Sequence, residues 1–246
     1  MPFHYSRNSL AAIACVLAAL FAGVPQARAN MTVSPMLLSV AGEKNSPGEI
    51  RVTSQASETQ YVKVGIKRLV NPATDQEREE DVTSWSGRDV VVSPMKFILP
   101  AGASRAVRVI SMSAPAQDEA YRVYFESVAG DEEGLSASSD QINAQVSINV
   151  VWGVLVRAGA ASSQPQMQRV NNNIRNTGNT RLGLMSATHC NPGTDDKACN
   201  WHTIEQSIYP GSALALPAEL ANKPIRIKFK TDGKPTFQVR DLPADL

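Results

Sequence analysis

Residues that carry chemistry are scarce in this chain. There are three histidines and three cysteines in 246 residues. No Gly-x-Ser-x-Gly elbow is present to expose a nucleophilic serine, and no glycine-rich phosphate loop. Charge of one sign is also missing, with 24 basic against 23 acidic residues, so neither nucleic acid nor an anionic membrane is indicated as a partner. Beyond residue 24 no apolar run is long enough to cross a bilayer, which takes about 20 residues. Together these absences argue against an α/β-hydrolase, a phosphate-loop nucleotidase and a nucleic-acid binder, and no cofactor is implied. A glycosidase's two carboxylates need only meet in space, and no local pattern points to such a pair. The acidic run Asp75-Gln76-Glu77-Arg78-Glu79-Glu80-Asp81 lacks the spaced glycine and terminal glutamate of a calcium loop. It reads as a solvated loop, with Trp85 tucked inward beyond it.

What is present begins with an N-terminal leader. Arg7 precedes an apolar run from Leu10 to Val24, and Ala27-Arg28-Ala29 offers a small-x-small cleavage site. We therefore expect residues 1–29 to be a signal peptide, with no membrane anchor after cleavage. Removing them takes away Arg7, Arg28 and Cys15 and no acid. The remaining 22 basic and 23 acidic residues balance to about −1.

Cys190 and Cys199 then remain. Two close cysteines in an oxidising compartment read as a disulfide, and the loop between them holds the turn formers Pro192-Gly193 and Asp195-Asp196. The rival is a zinc site using His189 and His202, which flank the pair. Adjacent His189 and Cys190 diverge on a strand, and the spacing fits no common zinc pattern.

The rest alternates with period two. Short runs rich in Val, Ile, Tyr and Phe recur between turn residues. Thr32 to Val40 is a strand interrupted by Pro35, and Val90 to Leu99 one broken by Pro94. Tyr61 to Leu69 puts Val62, Val64 and Ile66 on one face, and Tyr121 to Val128 does the same with Tyr121, Val123 and Phe125. About seven strands precede Val156, the number of an immunoglobulin-like sandwich. Ala158 to Pro165 is a linker by composition. Five further runs follow: Met167 to Val170, Arg181 to Ala187, Trp201 to Tyr209, Ile225 to Phe229 and Thr236 to Val239. The fold class expected is all-β, with two immunoglobulin-like β-sandwich domains at 30–158 and 159–246.

One run stands apart. Ile142, Ala144, Val146, Ile148, Val150, Trp152, Val154 and Val156 share one parity over 15 residues, roughly 50 Å when extended. Typical strands have about 5–6 residues. No charge lies between Asp140 and Arg157, whereas edge strands usually carry one to discourage pairing. Such an edge suits β-augmentation, where main-chain pairing gives affinity and side-chain pockets give specificity. Two consecutive strands, or one that switches sheets at Gly153, fit the pattern equally well. The Gly- and Ser-rich stretch 129–141 ahead of it reads either as a flexible segment that orders with a partner or as a plain hairpin loop.

Six further segments complete the picture: Tyr61-Val62-Lys63-Val64, Ile98-Leu99-Pro100-Ala101-Gly102-Ala103-Ser104, Val107-Arg108-Val109, Tyr121-Arg122-Val123-Tyr124-Phe125-Glu126, Ser147-Ile148-Asn149-Val150 and Asn176-Thr177-Gly178-Asn179-Thr180-Arg181. In this order, over nearly the whole mature chain, they resemble the PapD-like periplasmic chaperones of chaperone–usher pili. The nearer resemblance is to the alternate chaperones that serve colonisation-factor and cable-type fimbriae. The resemblance implies a non-enzymatic periplasmic protein that lends a strand to incomplete pilin subunits, then passes them to an outer-membrane usher. By position, the donated side chains are Ile142, Ala144, Val146 and Ile148. It also implies a possible self-capping oligomer when no pilin is bound. Such chaperones anchor the pilin's terminal carboxylate with an Arg on the first strand and a Lys on the donor strand. Here Thr32 to Val40 holds no basic residue and Asn149 stands at the Lys position. Arg122 is then the leading anchor candidate, with Asn149, Lys63 and Arg51 as others. Arg108 falls where the family places an ion pair between domains. A secreted structural pilin or adhesin, and less so a zinc enzyme, are the alternatives.

Overall fold

The computed structural model describes residues 30–40, 47–82, 90–112, 115–128, 149–190 and 194–244. Alternation becomes strand wherever one parity can be buried. β1 (Met31–Ser34), β3 (Gly48–Ser54), β6 (Val90–Ser93) and β8 (Ser104–Ser111) form one sheet in the order β1-β3-β8-β6. Facing it, β2 (Leu37–Val40), β10 (Val151–Ala158), β9 (Glu119–Val128) and β4 (Gln60–Val70) run side by side. β5 (Arg78–Asp81) and β7 (Lys96–Leu99) both pair with β4, at opposite ends of it. Ile50, Val52, Val107 and Val109 from the first sheet share a core with Val62, Val64, Val123, Phe125, Val154 and Val156 from the second. Burying each such side chain contributes about 1.5–3 kcal/mol.

Two prolines decide how the sheets connect. Thr32 to Val40 and Val90 to Leu99 are each two strands rather than one. β1 belongs to the first sheet and β2 to the second, and β6 and β7 repeat the arrangement. The switches fall at Pro35 and Pro94, each preceded by a cis bond. Proline has no N–H to give a ladder, so the chain leaves the sheet there.

The acidic run corrects the solvated-loop expectation. Residues 78–81 form β5, laid antiparallel along β4 with Lys67 opposite Asp81 and Leu69 opposite Glu79. Trp85 lies outside the described residues.

The second sandwich packs β11 (Met167–Val170), β12 (Asn173–Asn176) and β15 (Ala213–Ala215) against β14 (His202–Ile208), β13 (Leu182–Thr188), β16 (Ile225–Lys230) and β17 (Gln238–Leu242). Ile174, Leu182, Leu184, Ile208, Leu220, Ile227 and Phe229 fill its core. β12 and β15 escape a reading by pattern because they are short and mostly polar or small. Cys190 and Cys199 are bonded, with Cα atoms 5.7 Å apart, tying the end of β13 to a 3-10 turn at Asp196–Ala198. Both sulfurs are therefore occupied, and no thiolate pair remains for the zinc arrangement. His189 Nδ1 instead lies 2.7 Å from the Pro224 carbonyl oxygen.

The sandwiches meet through specific contacts. Asp118, only 7 % exposed, accepts hydrogen bonds from the Ala160 N–H at 2.7 Å, the Thr180 hydroxyl at 2.8 Å and the Arg181 N–H at 2.6 Å. Gly178 lets the linker close on this turn, since a Cβ there would stand 2.1 Å from the Gln164 carbonyl oxygen. Tyr209 packs on Leu69, Ala120 and Leu155. The cross-domain ion pair is Arg157 to Asp232, 3.2 Å, with Arg181 on the same carboxylate at 2.5 Å. This corrects the expectation for Arg108, which sits on β8 opposite Glu49 and Ser93, away from the junction.

Candidate functional site at an open sheet edge

β10 pairs with β9 along its whole length, Val151 to Ala158. On its other side β2 covers only Leu155 to Ala158, in parallel. Among the described residues, Val151 to Val154 therefore present an open edge. Pro35 causes this by sending the chain upstream of β2 to the opposite sheet. Val150 and Val151 at the mouth of this edge are 44 % and 47 % exposed. Further in, Val154 and Val156 are buried in the core and Trp152 packs on it partly buried. Ile142, Ala144, Val146 and Ile148 share the parity of these three but lie outside the described residues, as does the stretch 129–141.

The four polar candidates fall in three places. Asn149 donates through Nδ2 to Glu126 Oε1 at 3.0 Å. Lys63 stands directly opposite Glu126 across β4 and β9, so these two share a neighbourhood. Arg122 is opposite Leu155, six residues or roughly 20 Å along the strand from Asn149. Arg51 is on the other sheet, exposed and 2.6 Å from Glu49.

Arg122 belongs to a network that spacing alone did not announce. Its guanidinium donates to Glu79 Oε1 at 2.6 Å and Glu77 Oε1 at 3.0 Å. The Tyr124 hydroxyl donates to the same Glu79 oxygen at 2.5 Å, and Lys67 lies 3.6 Å from Asp81. Burial works against the Glu79 charge, but Tyr124, Arg122 and Lys67 outweigh it and hold its carboxyl below the ordinary range. Burial likewise opposes the Arg122 charge, and its contacts with Tyr124, Glu79 and Glu77 push its value up. Tyr124 is raised by burial and by the carboxylate it bonds. Gly153 makes room for the arrangement: a Cβ there would stand 3.2 Å from Tyr124 Cε1 and 3.3 Å from Arg122 Cδ. A carboxylate arriving at Arg122 meets two acids already in place.

Comparison with known proteins places this geometry. The chain is 33% identical over 195 residues to a CFA/I fimbrial subunit of Escherichia coli, covering 75% of this chain and 78% of that protein. To a CS1 fimbrial subunit of the same organism it is 32% identical over 193 residues, covering 76% and 80%. The crystal structure of the class 5 fimbriae chaperone CfaA superposes with a TM-score of 0.72 at 28% identity, covering 88% of this chain and all of that one. This chain belongs to the fimbrial chaperone family. A chaperone–tip adhesin complex of CFA/I fimbriae biogenesis matches it nearly as well, with a TM-score of 0.70 at 28% identity over 88% of this chain and all of that one. No family model matches the chain. The two Escherichia coli relatives carry the names of fimbrial subunits. The superposition on a chaperone nevertheless takes in nearly all of both sandwiches. In this chaperone, then, the open edge of β10 is an unfinished part of the first sandwich among the described residues. What pattern reading missed are the partners of Arg122, which lie 43 and 45 residues away in sequence. The shared parity of Glu77, Glu79 and Asp81 was the available clue.

Proposed function

We propose that this chaperone captures fimbrial subunits in the periplasm by lending them residues 142–148 as a missing strand, and that it hands them to an outer-membrane usher without catalysing a reaction. Residues 1–29 act as the export signal, and the working units are the sandwiches at 30–158 and 159–246. One observation carries the reading: among the described residues the edge of β10 is open at Val151 to Val154, with two exposed valines leading out of it. An open apolar edge gains main-chain hydrogen bonds and buried side chains only by taking on another chain. Each large donated side chain, Ile142, Val146 and Ile148, contributes about 1.5–3 kcal/mol when seated in a pilin pocket, and Ala144 less. Of the four anchor candidates, Asn149 is nearest the donated residues, with Lys63 across Glu126 from it. Free chaperone hides the same residues by pairing with a second copy.

Co-expression with the neighbouring fimbrial genes tests this. A 1:1 complex is expected on purification, and Val146→Asp or Ile148→Asp should abolish it while leaving the melting curve unchanged. Protection of pilins from proteolysis by either variant would refute the donated strand. The relatives' names favour one other reading, a structural component of the fibre. Finding this chain built into isolated fibres would establish that instead.

A further inference from the structure

We infer that a cavity at the far end of the first sandwich is a socket for the chain's own α-ammonium, created when the leader is cut after Ala29. This rests on that cleavage point and is independent of the donor-strand reading. Gln60 is the odd residue of its strand. β4 turns Gln60, Val62 and Val64 the same way, into the sandwich, and Leu99, 1 % exposed, stands opposite Gln60 on β7. Gln60 is itself 7 % exposed, and its Oε1 is buried with no hydrogen-bond partner. A buried acceptor without a donor destabilises a fold, and a Leu or Met would fill the same place without that penalty.

Gln60 lines a cavity of about 410 Å³ whose wall also includes Asn30, Glu58, Thr59, Tyr61 and Ser127. Glu58 and Tyr61 are the titratable side chains on this wall, and no basic side chain lines it. Glu58 is exposed and forms no ion pair among the described residues. Acceptors gathered round one unpaired carboxylate suit a cation that donates several hydrogen bonds at once. Asn30 brings such a group. Its carbonyl accepts from the Gln55 N–H at 2.9 Å, and the next residue, Met31, opens β1 opposite Ser54, so Asn30 is held on the cavity wall. Before cleavage its nitrogen is a neutral peptide N–H with one proton to donate. Afterwards it is an ammonium with three protons and a charge. Removal of the leader thus supplies the donor that Gln60 lacks and the cation that Glu58 lacks, and it fastens the start of β1 to the turn between β3 and β4.

Mass spectrometry of the exported protein comes first, and a chain beginning at Asn30 is expected. The pH dependence of its α-amino acylation should show a group titrating above the ordinary range of about 7.7–8.0, and Glu58→Gln should return it toward that range. A chain with one glycine added ahead of Asn30, released from a cleavable fusion, carries its ammonium roughly 3.5 Å further out. It should melt about 2–4 °C lower at pH 7, and the difference should vanish as pH rises through the raised α-amino value. Gln60→Met should lower the melting point of the chain that starts at Asn30 but not that of the extended chain. If both chains melt alike and Gln60→Met acts equally on them, the cavity holds only water and the socket is refuted, while the cleavage point stands. If the exported protein begins at another residue, the cleavage point falls and the socket with it.

Discussion

Glu79 shows how much a single side chain can organise on this surface. It is the common acceptor for Tyr124 and Arg122, and its carboxyl is held below the ordinary value of 4.5 against the opposing effect of burial. A carboxyl depressed in the folded state adds stability that is present above the unfolded value and lost as pH falls through the folded one. The urea midpoint of the protein should therefore fall as pH drops below about 4.5, and Glu79→Gln should flatten that part of the profile. An unchanged acid slope in the variant would show that the network contributes nothing. Gly153 supports the same group from beneath. Gly153→Ala should displace the Tyr124 ring and cost about 1 kcal/mol, the usual net worth of one hydrogen bond. Loss of the Glu79 contribution from the same acid profile would register it.

At the scale of elements, the Cys190–Cys199 bond closes a short loop between β13 and the turn before β14. Replacing both cysteines by serine should lower stability by roughly 2–3 kcal/mol, the loop-closure value for such a separation. Calorimetry of the variant checks this. Capture of pilins should survive, because the open edge of β10 lies in the other sandwich. β10 itself is a divided element. Its last four residues are enclosed by β2 and β9, and among the described residues its first four have a neighbour on one side only.

At the scale of the whole molecule, two carboxylates join the sandwiches. Asp118 satisfies three donors from the linker and the second domain, and Asp232 holds Arg157 and Arg181. Asp118→Ala leaves the Thr180 hydroxyl and two backbone N–H groups without their acceptor. Each unsatisfied buried donor costs about 1–3 kcal/mol, so a total loss of about 3 kcal/mol is expected once water reaches part of the site. Small-angle scattering should show a broader distribution of interdomain distances in this variant, and an unchanged profile would mean that Tyr209 and Asp232 hold the junction by themselves.

The sequence determined by itself whatever depends on neighbours along the chain. Period-two alternation in Tyr61 to Leu69 and Tyr121 to Val128 was sufficient for an all-β sandwich, because each strand's inward face is set by its own residues. With Cys15 set in the expected leader, Cys190 and Cys199 had one partner each to choose. Tertiary structure alone decided what depends on which strands become neighbours. It turned Pro35 and Pro94 into sheet switches, and through Pro35 it left half of β10 uncovered among the described residues. It made a strand of the acidic run by setting it against Lys67 and Arg122, and it gave the interdomain ion pair to Arg157, 75 residues from its partner. Those outcomes turn on contacts between distant segments, whose order in a sheet no local pattern encodes.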